Sequence, residues 1–402
     1  MTGERYTHRG SPAVERTISD IVTRAGALIS QRFAPGELLT LALIGGYGRG
    51  EGGVDRAGGQ ERPHNNLDLM LVVRDAPPAG LKGELDRALE PLRTEYQVGI
   101  DMGLVTLSSL NRAPCRVMWY DVRHGHKTIL GDAALLPSLE RFRVEAILPE
   151  DVRDLLINRG TLLVINELLL ARGELDAESR RALIRHTVKA IIGYGDALLF
   201  FRGAYHWSYV EKRRRMAGRT DVPEAFRRLY EEASAFRFEP DYAGFAERDL
   251  RAWMSETRTQ LAAVHLACES ARLGVPRLDW SDYPRRALRH ALVEGGLDAR
   301  AWLHKLRAGL KPPPEVPVKL GKRARLGLRL GGARGLMAAV FPYVTYGAPG
   351  AGREFARQAL GAASTSDIAL QRAYLRFWGS AGDPNFIHTA RKLGLTLEDT
   401  PS

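Results

Sequence analysis

Three oxygen-bearing side chains, Asn66, Asp68 and Asp101, stand where they can converge on one cation. Asn66 and Asp68 are two residues apart in an apolar run, so on a strand they share a face, and Asp101 can reach that face from a neighbouring strand. Such a set suits one or two Mg2+ ions, which take oxygen ligands and complete their shell with substrate phosphate. Ahead of it the stretch LALIGGYGRGEGG, residues 41–53, breaks on Gly45 and Gly46. Glycines let backbone N–H groups approach a ligand closely, which suits phosphate oxygens. Together these residues describe a site for a nucleoside triphosphate with its metal.

The elements that must hold them can be read from apolar spacing. Residues 14–33 put Val14, Ile18, Ile21, Val22, Ala25, Leu28 and Ile29 on one helical stripe. Residues 38–44 read as a buried strand ended by Gly45-Gly46, and the polar, turn-rich VDRAGGQERPH at 54–64 as a loop. A second strand is expected at 66–73, a helix at 80–93 and a third strand, carrying Asp101, at 98–107. A helix near 116–123 and a short strand near 127–130 close a small mixed core at Gly131-Asp132. Beyond it the period becomes helical, over 152–171, 177–202, 223–236 and 242–273, with Ile184, Val188, Ile191, Ile192, Leu198 and Leu199 near one face of the second. The expected class is α+β, a small mixed-sheet core followed by a mainly helical domain. Its divisions are a core with its N-terminal helix at 1–135, a helical domain at 136–310, and a linker with a basic, helical C-terminal region at 311–402. The proline-rich KPPPEVP, residues 311–317, reads as the stiff linker.

The order of strand, Gly-Gly turn, Arg49-Gly50-Glu51, strand opening on Asn66-x-Asp68, and later single acid Asp101 resembles the polymerase β-type nucleotidyltransferases. The Arg-Gly-Glu within GGYGRGEG resembles the minimal nucleotidyltransferases, and a helical domain after the core is similar to kanamycin nucleotidyltransferase. The motif match covers residues 41–104. This resemblance implies transfer of a nucleoside monophosphate from Mg-NTP to an acceptor hydroxyl, with pyrophosphate released. It gives Gly45 and Gly46 the triphosphate, and Asp68 and Asp101 the metal and the catalytic roles, Asp101 also helping to deprotonate the hydroxyl. Arg49 would neutralise phosphate charge or brace the turn through Glu51. One position departs from the pattern: Asn66 stands where the family's first metal-binding acid is expected. An amide carbonyl can ligate Mg2+ but brings no charge, so metal affinity should fall. A catalytically weakened nucleotide-binding regulator is therefore the alternative to an active transferase. Farther on, GDALLFFRGAYHWSYVEKRRRM offers Tyr205, His206, Tyr209, Lys212 and Arg213, of which Lys212 is assigned to the triphosphate tail or acceptor. The acceptor stays open between an aminoglycoside, a protein hydroxyl, a tRNA end and a small metabolite.

Charge adds a second partner class. The 402 residues carry a net +11, and residues 285–334 hold 13 Lys plus Arg against 3 Asp plus Glu. Such a block attracts phosphate-rich partners such as RNA through a salt-sensitive, sequence-blind force. Arg181-x4-His186 and Arg285-x4-His290 resemble the signature of HEPN-type helical ribonucleases, which leaves an RNA-binding or ribonuclease module as a further alternative. Gly48-x-Gly50-x-x-Gly53 fits the dinucleotide fingerprint, but no helix can open on Gly53 in VDRAGGQERPH, and no lysine-bearing P-loop is present. Cys115 and Cys268 lie outside any C-x-x-C pair and read as reduced core residues. The start MTGERYTHRGSP lacks the apolar core of a secretion signal, and no apolar run reaches about 18 residues. The expected location is the cytoplasm.

Overall fold

The computed structural model describes residues 5–294, 322–381 and 384–398. The expected linker at 311–317 and much of the basic block lie outside the described residues. The chain is α+β. It divides into two compact units. The first holds the described residues of Met1–Leu148 with Tyr205–Arg219 and Ser234–Asp241, and the second those of Pro149–Ala204, Thr220–Ala233 and Tyr242–Ser402. Two segments from the helical half of the sequence thus pack with the sheet.

In the first unit, strands β1 (Leu38–Ile44), β2 (Val54–Asp55), β3 (Arg62–Pro63), β4 (Leu67–Val73), β5 (Ile100–Thr106) and β6 (Lys127–Gly131) form two sheets. The larger has the order β5-β4-β1-β6, antiparallel except for the β4–β5 pair. The expected loop at 54–64 contains the small β2–β3 ladder. Helices α1 (Pro12–Ser30) and α3 (Leu81–Tyr96) are the two long helices of this unit, with the one-turn α2 (Gly45–Gly48) between them in sequence. In α1 Pro12 opens the helix, where its missing N–H costs nothing, and Val14, Ile18, Ile21, Val22, Ala25 and Ile29 are buried as spaced, with Leu28 at the margin. Leu81, Leu85, Leu89 and Leu92 form the matching stripe of α3. These side chains share one core with Leu67, Leu69, Leu71 and Val73 of β4, the face opposite to Asp68. Three further α-helices lie wholly in the unit: α4 (Leu107–Arg112), α5 (Val117–His124) and, after α6 (Pro149–Ala171) and α7 (Ala177–Phe201) of the second unit, α8 (Tyr209–Ala217).

The second unit is helical. Its α7 (Ala177–Phe201) is buried almost all round, including Tyr194, Gly193 and Asp196, so the single face expected for it is too narrow a description. The cause is packing on several sides, against α6 (Pro149–Ala171), α10 (Tyr242–Ala246) and α11 (Leu250–Leu273). The helix expected over 242–273 is these last two, because Asp249 caps a new start by accepting from Arg251 N and Ala252 N at 3.0 Å each. Residues 336–344 are core, and Cys268 and, in the first unit, Cys115 are buried free thiols. Among the described residues no helix is long and apolar enough to cross a membrane.

A buried ion pair stabilises this unit. Arg272 donates to both oxygens of Glu269 at 2.8 and 2.6 Å, and to Glu294 at 2.7 Å, while Tyr283 donates to Glu269 at 2.9 Å. Burial alone would raise the Glu269 carboxyl, but Arg272 outweighs it and holds it at about 2. A depressed carboxyl contributes stability above its unfolded value, near 4.5, and that contribution disappears as pH falls toward 2. Urea unfolding between pH 6 and 2 should show stability falling with acid. Glu269→Gln should remove part of that slope and cost up to about 3–5 kcal/mol at neutral pH, since it leaves the buried Arg272 with Glu294 alone of its two carboxylates.

Candidate functional site

The site is built where β1 ends. In register, Ile44 lies opposite Asp68 on β4, and Asp68 lies beside Asp101 on the parallel β5. Registered partners in a parallel pair share a face, so the two carboxylates project together. Asp101 is exposed on an edge strand, and Asp68 is half-buried. Asn66 lies one residue before β4, and its Nδ2 donates to Asp101 Oδ2 at 2.8 Å. Asn66 is thereby brought to Asp101, its amide N–H donating to the carboxylate while its Oδ1 takes no part in that bond. Among the described residues no group of three or more His, Cys, Asp and Glu could hold a metal ion. The donor set that fits a cation is Asp68 with Asp101, and one or two carboxylates completed by phosphate and water is a usual Mg2+ arrangement.

Gly45 starts a single helical turn directly after the strand, with φ +68°, and a Cβ there would come within 2.5 Å of Asp68 Oδ2. Only glycine lets the backbone turn so close to the carboxylate. Tyr47, fully buried, ties the loop that follows: its hydroxyl donates to Gly53 O at 2.9 Å and accepts from Asn65 N at 3.3 Å. The N-terminal segment closes the other side, with His8 N donating to Gly52 O at 3.1 Å and Gly52 N to Tyr6 O at 3.0 Å. No helix opens at Gly53, which leads into β2, so the dinucleotide fingerprint lacks its essential element.

Arg49 and Glu51 do not meet each other as the sequence suggested. Arg49 pairs with Asp121 at 2.6 Å with both side chains largely buried, and the other Asp121 oxygen accepts from Tyr205 at 3.0 Å. Glu51, also buried, accepts from Ser208 Oγ and, at 2.7 Å, from Tyr209 N, at the start of α8. An acid in that place satisfies an orphan N–H and complements the helix dipole. One charge of Arg-Gly-Glu thus holds the glycine turn to α5, and the other holds it to α8.

Held this way, α8 brings Tyr209 and Lys212 to the turn. Lys212 is fully buried, its ammonium 4.1 Å from the Tyr209 ring centre and 5.0 Å from that of Tyr205. Arg49 lies 4.7 Å from the Tyr209 centre, and Arg237, from the end of α9 (Glu224–Phe238), lies 3.7 Å from it. Arg237 was not marked by the sequence, since nothing distinguishes it there from the many other arginines. Neither were Tyr47 and Asp121, whose roles depend on contacts distant in the chain.

Of the two ribonuclease signatures, the first ends on a histidine in the core. His186 is buried, with Nδ1 2.9 Å from Asn166 Oδ1, and burial beside Arg185 and Lys189 lowers its pKa to about 3. A neutral core imidazole cannot shuttle protons for a surface substrate. Arg285 pairs with Asp282 at 2.7 Å.

Gly45→Ala should be poorly tolerated. The left-handed backbone alone costs about 1–2 kcal/mol, and Asp68 must also move. Urea unfolding should show that loss or more, whereas Gly58→Ala, with φ +84° but nothing within 4 Å of the new Cβ, should show only the backbone cost.

No protein-family model matches the chain, and neither does any curated protein. Among solved structures it is similar to the spectinomycin adenyltransferase AAD(9) from Enterococcus faecialis, determined with ATP and spectinomycin, at 11% identity and a TM-score of 0.37, over 63% of this chain and 99% of that one.

Proposed function

We propose that the chain is a nucleotidyltransferase that binds Mg-NTP at the end of β1 and passes its nucleoside monophosphate to an acceptor hydroxyl. One observation supports this most: Asp68 and Asp101 stand side by side on one face with the Gly45 backbone against Asp68. In this reading Asp68 and Asp101 hold the ion, with Asp101, open to solvent, also facing the acceptor hydroxyl and taking its proton. Gly45 and Gly46 lie along the triphosphate, and Lys212 compensates its charge from beneath the Tyr209 ring. Arg49 and Glu51 act by fixing the turn and α8. The bound Mg2+ would offset charge on the attacking and leaving oxygens.

A second reading, a nucleotide-binding regulator with little turnover, is favoured by the Asn66 amide occupying Asp101 Oδ2. Both readings are tested by calorimetry with each of the four ribonucleoside triphosphates, with and without Mg2+. Binding should require Mg2+, and Asp68→Ala should weaken it at least about tenfold. Asn66→Asp should tighten it, because two carboxylates within hydrogen-bond reach repel each other until a cation joins them. Equal binding by wild type and Asp68→Ala would remove the site. Pyrophosphate release by Asn66→Asp but not by wild type would select the regulator.

A further inference from the structure

Arg237 stands out among the arginines of the first unit. Its guanidinium is stacked on Tyr209, 3.7 Å from the ring centre, and its Nε is buried without a hydrogen-bond partner. Among the described residues no carboxylate forms an ion pair with it, whereas the neighbouring Arg49 has Asp121 at 2.6 Å. Its Nη2 lies against the glycine turn, so that a Cβ added at Gly46 would come within 3.1 Å of it. Nε and Nη2 form one edge of the guanidinium fork, the edge that takes two oxygens of one phosphate. A half-buried cation lacking an anion is costly, and it is held in place by its stack on a ring that Glu51 anchors through the Tyr209 N–H.

We infer that Arg237 is a binding residue for polyphosphate, gripping the phosphate tail of the ligand through its Nε and Nη2 beside Gly46. This deepens the proposed function and rests on it only for the nucleoside; the anion site stands on Arg237, Tyr209 and the glycine turn. Phosphates beyond the first would lie along the turn toward Asp68, so a triphosphate should bind through Arg237 and a nucleoside monophosphate should depend on it far less.

The test uses the full chain and three probes: inorganic tripolyphosphate, Mg-ATP and AMP. Calorimetry should show tripolyphosphate binding to wild type and a loss of about tenfold or more in Arg237→Met, which keeps the stacked stem but removes the fork. Arg237→Lys, with charge but no fork, should fall between. The unliganded Arg237→Met protein should melt close to wild type, losing only the attraction of the cation to the Tyr209 ring, and the ligand-induced rise in melting temperature should shrink by more than that. Equal tripolyphosphate affinity in wild type and Arg237→Met, or no binding by wild type, would overturn the inference. The nucleotide reading is separated by the other probes. Arg237-dependent binding of tripolyphosphate without binding of Mg-ATP would leave the anion site and remove the nucleotide. Mg-ATP binding indifferent to Arg237→Met would do the reverse.

Discussion

The register of β4 is the constraint on which the site depends. Its pairing with β1 sets Asp68 opposite Ile44, at the point where the chain turns on Gly45, and its pairing with β5 sets Asp68 beside Asp101. A slip by one residue would exchange the two faces of the strand. Asp68 would then enter the apolar core where Leu67, Leu69, Leu71 and Val73 meet α1 and α3, and those side chains would be displaced toward the site. Burying an unpaired carboxylate costs several kcal/mol, and losing each large apolar side chain from the core adds about 1.5–3 kcal/mol. The face of Leu67, Leu69, Leu71 and Val73 therefore keeps Asp68 on the other face, which it shares with the buried Met70 and Val72. The carboxylate pair is positioned by packing that never touches it.

A second layer of control comes from buried charge. Arg49 and Glu51 are two residues apart, yet each is satisfied by a different element, Asp121 of α5 and the start of α8. Because an unpaired buried charge is so unfavourable, both contacts act as specific latches rather than as general attraction. The Gly45–Gly48 turn runs directly into these two residues, so they fix the end at which it leaves. Tyr47 and the segment at Tyr6–His8 do the same from the interior and from the N-terminal side. Flexible residues become a fixed surface because rigid neighbours hold every exit.

How much of this was legible in the sequence follows from the range of the forces involved. Strands and amphipathic helices depend on periodicity within a few residues, and the stripes of α1 and α3 could be read with shifts of a few residues at their ends. The same-face placement of Asp68 and Asp101 needed only alternation and a correct guess that their strands adjoin. The pairing of Arg49 with Asp121, 72 positions away, carries no local signal. Nor does the return of residues 205–219 and 234–241 to the sheet unit, since helical periodicity shows that a face is covered but not by what. The break at Asp249 was not read, because the apolar period continues on both sides of it.

The abundance of arginine sharpens one further point. With so many guanidinium groups, spacing alone generates motifs, as the two Arg-x4-His matches show: one ends on a core histidine and the other begins on an arginine paired locally with Asp282. What separates an arginine that serves folding from one that serves a ligand is its set of partners. Arg49, Arg153 and Arg272 are each buried against carboxylates, so their charges are neutralised within the chain and an incoming anion would have to compete with a fixed one. Arg237 pairs with no carboxylate among the described residues and is stacked on the face of Tyr209, an attraction of about 0.5–2 kcal/mol that steadies a cation without neutralising it. Its guanidinium lies beside Gly46, one residue from the Gly45 backbone that stands against Asp68. A metal-bound polyphosphate needs positive charge for its phosphates and negative charge for the ion between them; in the proposed reading Arg237 supplies the first and Asp68 with Asp101 the second.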